Sequence, residues 1–187
     1  MQVILKKHPT IGCCGIDCGL CPRYHTDSLS ACPGCAGLNF NEKHPSCGFI
    51  SCCVVNHGSE VCSSCPDFPC LRFVPEQQGY DSFVTHRKMF QNLAFIKENG
   101  LDYFLNLQKQ RMDILTDFLQ EYNDGRSKSL FCLSCALLPL EKLIELHRFM
   151  DRCITVVDKK EKTKLLKDRM QDLADKLQID LKLNAKV

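Results

Sequence analysis

Four short segments, CCGIDCGLC (13–21), CPGC (32–35), CGFISCC (47–53) and CSSCPDFPC (62–70), decide how the first part of this chain folds. They hold 12 of the 15 cysteines in the 187-residue chain. Few large apolar residues lie between them, and a hydrophobic core that small is marginally stable. We therefore expect bound metal to supply much of the folding free energy of this block, on the order of 10 kcal/mol for each structural zinc ion.

The cysteine pattern predicts metal ligation rather than disulfide bonding. The cysteine count is odd, and two pairs are adjacent, Cys13-Cys14 and Cys52-Cys53, which suits a disulfide framework poorly. The first residues contain no apolar run of signal-peptide length, and no apolar stretch is long enough for a transmembrane helix. We therefore expect a cytoplasmic protein, and cytoplasmic thiols stay reduced.

Two C-x2-C turns are the sharpest local features. The turn CPGC (32–35) has the form of a zinc knuckle, because the proline presets the turn and the following backbone N–H groups can bond to a thiolate. Cys62 and Cys65 form a second pair, and two such pairs can complete a tetrahedral all-cysteine site. Two prolines between Cys65 and Cys70 predict a rigid loop that returns a further thiolate to this site.

The segment CGIDCGLCPRY (14–24) resembles the prokaryotic cysteine-rich family called domain of unknown function 3795. The likeness continues through CPGC (32–35), the Cys52-Cys53 pair with Gly58, and CSSCPDFPC (62–70), and it covers roughly residues 1–75. The resemblance implies zinc binding through cysteines and no assigned activity. Cys13 is an addition to the family pattern, and relatives vary at Cys53. The cysteines that match the family are Cys14, Cys18, Cys21, Cys32, Cys35, Cys47, Cys52, Cys62, Cys65 and Cys70.

Spacing divides the matching cysteines into three groups. The outer two groups have three members each and lack a fourth ligand, which the middle group, His44 or His57 could supply. We expect two zinc ions in closed four-ligand sites, and closed sites of this kind are usually structural. The sequence therefore predicts a metal-binding protein with a structural or protein-interaction role rather than an enzyme. The groups are Cys14/Cys18/Cys21, Cys32/Cys35 with Cys47 or Cys52, and Cys62/Cys65/Cys70.

The main alternative is an iron–sulfur protein with a redox or sensor role. Cysteine thiolates suit a [4Fe–4S] cluster as well as they suit zinc, although the knuckle-like turns favour zinc. The C-x3-C-x2-C spacing of the first group also matches radical-SAM clusters, but no alternating strands and helices follow it. A catalytic thiol would need Cys132 or Cys135 with His147 as its base, and we expect these two cysteines to be buried packing residues instead.

The charge distribution disfavours a nucleic-acid partner. The chain has a formal net charge of +2, and in residues 1–75 five Lys and Arg residues balance five Asp and Glu residues. Each four-cysteine zinc site would add about two negative charges to this block, which disfavours contact with a phosphate backbone. We expect no membrane contact either, and the partner that we consider is a protein bound through the helical half.

A helical period after residue 75 predicts a second domain. We divide the chain into a Cys-rich metal-binding module, 1–75, and a helical domain, 76–187. The fold class predicted is α-rich, with an irregular Cys-rich module, a small bundle of about four helices and little β structure. Helices are predicted at 83–99, 101–122, 139–150 and 158–177, and short strands at 3–6 and 179–183.

Overall fold

A computed structural model describes residues 6–73, 81–153 and 158–184 of the chain. The chain forms two compact units, Met1–Asn106 with Leu183–Val187, and Leu107–Lys182. The predicted domain boundary at residue 75 lies outside the described residues. Within those residues the chain is helical or irregular and has no β-strand, which confirms the α-rich class.

Seven α-helices lie in the described part of the chain. The irregular first unit also contains short helical turns: single 3-10 turns at Cys18–Leu20 and Cys62–Ser64, and a π-helical turn at Ser51–Asn56. The long helices follow from residue 89 onward. The α-helices are α1, Phe40–Lys43; α2, Gly48–Ile50; α3, Met89–Asn99; α4, Leu101–Glu121; α5, Lys128–Leu137; α6, Leu140–Cys153; and α7, Lys159–Lys176.

The structure confirms four predicted helices and adds a fifth long one. Helix α3 begins later than residue 83, because the Asp81 carboxylate accepts hydrogen bonds from the His86 backbone N–H and the Thr85 hydroxyl and so holds this segment as a turn. Helix α5 lies between the helices predicted at 101–122 and 139–150, where no helix was predicted. Every residue from 131 to 137 is buried, so most of α5 lacks the exposed polar face by which an amphipathic helix is recognised in a sequence.

The strand predicted at residues 179–183 is wrong. The backbone N–H of Ile179 donates to the Ala174 carbonyl at 2.8 Å, which closes the end of α7 instead of pairing with another strand. Gln178 turns the chain there with a left-handed φ of 55°. The other predicted strand, residues 3–6, lies outside the described residues except for Lys6.

In the first unit, helix α3 packs against the Cys-rich block. The Asn92 side-chain amide donates to the Gly15 carbonyl at 2.8 Å and to an oxygen of Asp17 at 3.0 Å. A Cβ atom on Gly15 would lie 2.3 Å from the Met89 carbonyl oxygen, so the close approach of loop and helix requires glycine. The first cysteine loop is thus held against α3. The core between them contains Ile11, Val61, Leu93, Ile96 and Phe104.

The second unit has an apolar core centred on Phe118 of α4. Its ring is fully buried and lies against the rings of Tyr122 and Phe131, with centroids 6.0 and 6.2 Å away. The Arg111 guanidinium donates to the carbonyls of Cys135 and Leu138, each at 2.7 Å, and so satisfies acceptors at the carboxyl end of α5. Across the described residues, none of the helices combines the length and the apolar composition needed to cross a bilayer.

Gly34 of the predicted knuckle provides a first test of the fold. Its φ is 82°, and a Cβ atom at this position would lie 2.4 Å from the Pro9 carbonyl oxygen. We expect Gly34→Ala to lower the free energy of unfolding of the first unit by about 3 kcal/mol, measured by chemical denaturation. Gly58 is the matched control, because its φ is 59° and no atom lies within 4 Å of a Cβ placed there. Gly58→Ala should cost only about 1 kcal/mol, and equal losses would contradict the steric argument.

Candidate metal centre

No disulfide joins any of the cysteines whose side chains the structure describes. Hydrogen bonds between backbone groups hold the first cysteine segments in place. The carbonyls of Pro9 and Thr10 accept from the backbone N–H groups of Cys35 and Gly19, at 2.8 and 2.7 Å. The residues just before the first cysteine therefore hydrogen-bond to both the first cysteine loop and the knuckle and hold the two close together.

The first thiol cluster surrounds Cys18. The Cys18 thiol interacts electrostatically with Cys14 and Cys21 of its own loop and with Cys32 and Cys35 of the knuckle. Cys14 interacts in turn with Cys35 and with Cys47. The knuckle pair thus joins the first predicted group. The cluster comprises Cys14, Cys18, Cys21, Cys32, Cys35 and Cys47.

Burial and mutual repulsion disfavour thiolates in this cluster. Burial raises the pKa of Cys18 well above its usual value, and the neighbouring Cys35 and Cys14 raise it further. Burial also raises the pKa of Cys14 to about 12, although a hydrogen bond from the Ile16 backbone opposes the shift. A divalent cation among these sulfurs would favour the thiolate forms instead, because cysteine binds metal as a thiolate and the cation offsets the negative charge.

The second thiol cluster lines a small cavity. Its volume is about 30 Å³, and His57, Phe68, Arg72 and Phe73 complete the wall beside the cysteines. A single water-sized sphere needs about 10–15 Å³, so the cavity is large enough for one ion. The third predicted group lies together here, and Cys52 of the middle group joins it while Cys47 belongs to the first cluster. The cluster comprises Cys52, Cys53, Cys62, Cys65 and Cys70.

Cys13 connects the two clusters. Its sulfur lies 3.7 Å from that of Cys35, and its backbone N–H donates to the Cys35 sulfur at 3.4 Å. Its side chain also interacts with that of Cys53 in the second cluster. Cys13 and Cys53 were absent from the predicted ligand set. Each belongs to an adjacent cysteine pair. Because neighbouring side chains point in different directions, the two cysteines of a pair can reach different clusters, and the adjacent pairs were the sequence signal that could have indicated this.

The two candidate histidines have different surroundings. His44 stacks on Phe40 with ring centroids 4.7 Å apart, and its Nε2 lies 3.0 Å from the Cys32 sulfur. A sulfur and a nitrogen that bind one tetrahedral zinc lie about 3.6 Å apart, so the contact with Cys32 is a hydrogen bond. Burial lowers the pKa of His44, and the Arg23 charge lowers it further. His57 is exposed at the edge of the second cluster.

The thiols are clustered, but they do not form a completed site. Within the ranges that the structure describes, no group of three or more His, Cys, Asp or Glu side chains is arranged to hold a metal ion as these side chains stand. The donor set itself is rich in sulfur, which suits zinc and iron–sulfur clusters better than magnesium or calcium. No protein-family model, curated protein or solved structure matches the chain.

The surroundings of Cys132 and Cys135 disfavour a catalytic thiol. Both lie on α5 and are almost completely buried, and burial raises the pKa of Cys135 to about 12. The proposed base, His147, places its Nε2 2.9 Å from an oxygen of Asp117 instead. These two cysteines therefore pack as apolar side chains of the second unit.

Thiol alkylation tests this assignment. We expect Cys132 and Cys135 to resist iodoacetamide in the native protein at pH 7, because both are almost completely buried. For Cys135, a thiol with a pKa of about 12 is also ionised in only about one molecule in 10⁵. Mass spectrometry of peptides should show both modified after denaturation, which is the control. Modification of Cys135 at a similar rate before and after denaturation would contradict its burial.

Proposed function

We propose that residues 13–70 form a zinc-binding module whose metal has a structural role. The observation that carries this proposal is the gathering of thiols from separate segments around Cys18, in surroundings that disfavour their charged forms. A cluster of free thiols is costly to ionise without a cation, and zinc is a common cation in clusters of this composition. The resemblance to domain of unknown function 3795 supports the same conclusion.

The turn geometry supports zinc over an iron–sulfur cluster. Gly34 gives the knuckle its left-handed residue, and the Gly37 backbone N–H donates to the Gly34 carbonyl at 3.3 Å to close the turn. The backbone N–H of Cys13 already donates to the Cys35 sulfur. This N–H comes from the first loop and not from the turn itself, and C-x2-C turns of this form are typical of structural zinc sites. We place the protein in the cytoplasm, where its thiols stay reduced.

A structural role follows from the chemistry of the donors. A site closed by four thiolates leaves no position for substrate or for an activated water molecule. The Cys-rich block is short of apolar side chains, so bound zinc would supply the free energy that its core lacks. The partner that we propose is another protein, bound through the helices of the second unit, because the near-neutral charge gives no basic surface for nucleic acid.

Metal analysis of protein purified without air tests the proposed function. We expect at least two zinc ions per chain and little iron. The double variant Cys14→Ser/Cys18→Ser should lose zinc, whereas Cys132→Ser/Cys135→Ser is the matched control and should retain it. Iron with acid-labile sulfide, which gives a brown protein, would overturn the choice of zinc. A folded protein that contains neither metal would overturn the whole proposal.

A further inference from the structure

Four cysteines from four separate segments meet at the junction of the two clusters: Cys13, Cys35, Cys53 and Cys62. The sulfurs of Cys13 and Cys35 are 3.7 Å apart. The side chain of Cys53 interacts with those of Cys13 and Cys62. Three of the four are almost completely removed from solvent, with 1%, 8% and 4% of Cys13, Cys35 and Cys53 exposed. Cys62 is partly buried.

Hydrogen bonds between backbone groups anchor the segments that carry the four cysteines. The N–H of Cys62 donates to the Cys13 carbonyl at 2.9 Å, and the N–H of Cys35 donates to Pro9 at 2.8 Å. The Cys53 carbonyl accepts from the N–H of Ser59 at 2.8 Å. The Cys53 thiol donates to the Ser59 carbonyl at 3.2 Å, and it would have to leave this acceptor to join the other sulfurs around one ion.

The distance between the sulfurs of Cys13 and Cys35 is compatible with a shared metal ion, but it does not by itself show that an ion binds there. Two sulfurs that bind one tetrahedral zinc at about 2.3 Å lie about 3.8 Å apart, close to the separation of Cys13 and Cys35. Two neutral thiols in van der Waals contact would lie at a similar distance. A separate observation is therefore needed to decide between a metal site and simple packing.

The buried Lys6 side chain provides that observation. Only 6% of Lys6 is exposed, and its ammonium group donates to the Ile11 carbonyl at 2.6 Å. It interacts electrostatically with Cys13, Cys35 and Cys53. No carboxylate of a described residue lies within ion-pair distance of it. A buried ammonium group is costly unless an anion accompanies it, and neutral thiols supply none.

We propose that Cys13, Cys35, Cys53 and Cys62 bind one zinc ion as a four-thiolate site and that Lys6 is its buried counter-charge. Four thiolates and one Zn²⁺ leave a net charge of about −2, and the ammonium group of Lys6 offsets half of it. The site gives a role to Cys13 and Cys53, which the family resemblance leaves outside the ligand set. It rests on the proposed function in that zinc is the metal.

Zinc counting in a double variant tests the site. We expect Cys13→Ser/Cys53→Ser to contain one zinc ion fewer than the unmodified chain, both purified without air. An unchanged zinc count would overturn this site while leaving the proposed function intact. An unmodified chain without zinc would overturn the proposed function itself, so the two failures are distinguishable.

The role of Lys6 has its own test, which also decides the matter if the double variant fails to fold. We expect Lys6→Met to weaken the affinity for one zinc ion about tenfold or more, measured by competition with a chelating dye under reducing conditions. Lys7→Met is the matched control, because Lys7 is the adjacent lysine and is exposed. Its zinc affinity should stay within about twofold of the unmodified chain. Equal affinities in the two variants would overturn the counter-charge and the site with it.

Discussion

Removal of the metal from the reduced protein is expected to unfold residues 13–70 while α5, α6 and α7 remain helical. A structural zinc ion contributes on the order of 10 kcal/mol to the folding of a small domain. The whole free energy of unfolding of an ordinary domain is only about 5–15 kcal/mol, so under the proposed function we expect the Cys-rich block to unfold without zinc. The second unit has its own apolar core around Phe118 and contains none of the clustered thiols.

Hydrogen exchange can measure the unfolding of the Cys-rich block and the stability of α5, α6 and α7 separately. After treatment with a strong chelator and a reductant, the backbone N–H groups of Cys35 and Cys62 should lose their protection, because their hydrogen bonds join separate segments of the block. Amides within α5, α6 and α7 should keep theirs. Protection of the block should return when zinc is added back, which is the control for irreversible damage. Unchanged protection at Cys35 and Cys62 in metal-free protein would refute a structural role for the metal.

Truncation of Phe118 should have the largest effect on the second unit. Its side chain is 0% exposed and lies against three rings, those of Tyr122, Phe131 and His147. We expect Phe118→Ala to lower the free energy of unfolding by about 4 kcal/mol, because the lost burial and the cavity left behind both cost free energy. Chemical denaturation followed by circular dichroism measures this loss, and the zinc content should not change.

Phe149 provides the matched control for Phe118. It lies in the same unit, is only partly buried, and its ring packs under the Arg169 guanidinium, whose central carbon is 4.6 Å from the ring centroid. Phe149→Ala should therefore cost about 1 kcal/mol, the value of a partly exposed cation–π contact and some apolar surface. Similar losses in the two variants would show that Phe118 is not the centre of the core.

The helices illustrate when periodicity is informative. Helix α4 was predictable because it exposes one face and buries the other, and Gly100, with a φ of 89°, marks where it separates from α3. Helix α5 was missed because its residues 131–137 are buried on all sides, so this stretch lacks the exposed polar face of an amphipathic helix. The segment 179–183 has the alternation of a strand, but alternation alone forms no strand without a partner, and its first N–H completes the end of α7.

For the candidate metal centre, the sequence by itself determined which cysteines share a turn. Contacts between residues three apart in the sequence depend on local backbone preferences. The backbone hydrogen bonds from Cys21 to Cys18 and from Cys65 to Cys62, at 3.2 and 3.0 Å, therefore follow from the C-x2-C spacing and from the neighbouring residues. The number of cysteines, their free-thiol chemistry and the α-rich class are likewise consequences of composition and pattern.

Only the tertiary structure decided which turns meet. It divided the middle group between the two thiol clusters, placed Cys13 between them and buried Lys6 at their junction. The entropy lost on closing a loop changes only slowly with loop length. Many alternative pairings of the cysteine turns therefore have similar entropic costs, and the spacing of the cysteines alone does not select one of them. The choice among them depends on packing and on backbone hydrogen bonds between distant segments, such as that from Cys62 to Cys13, which no local pattern encodes.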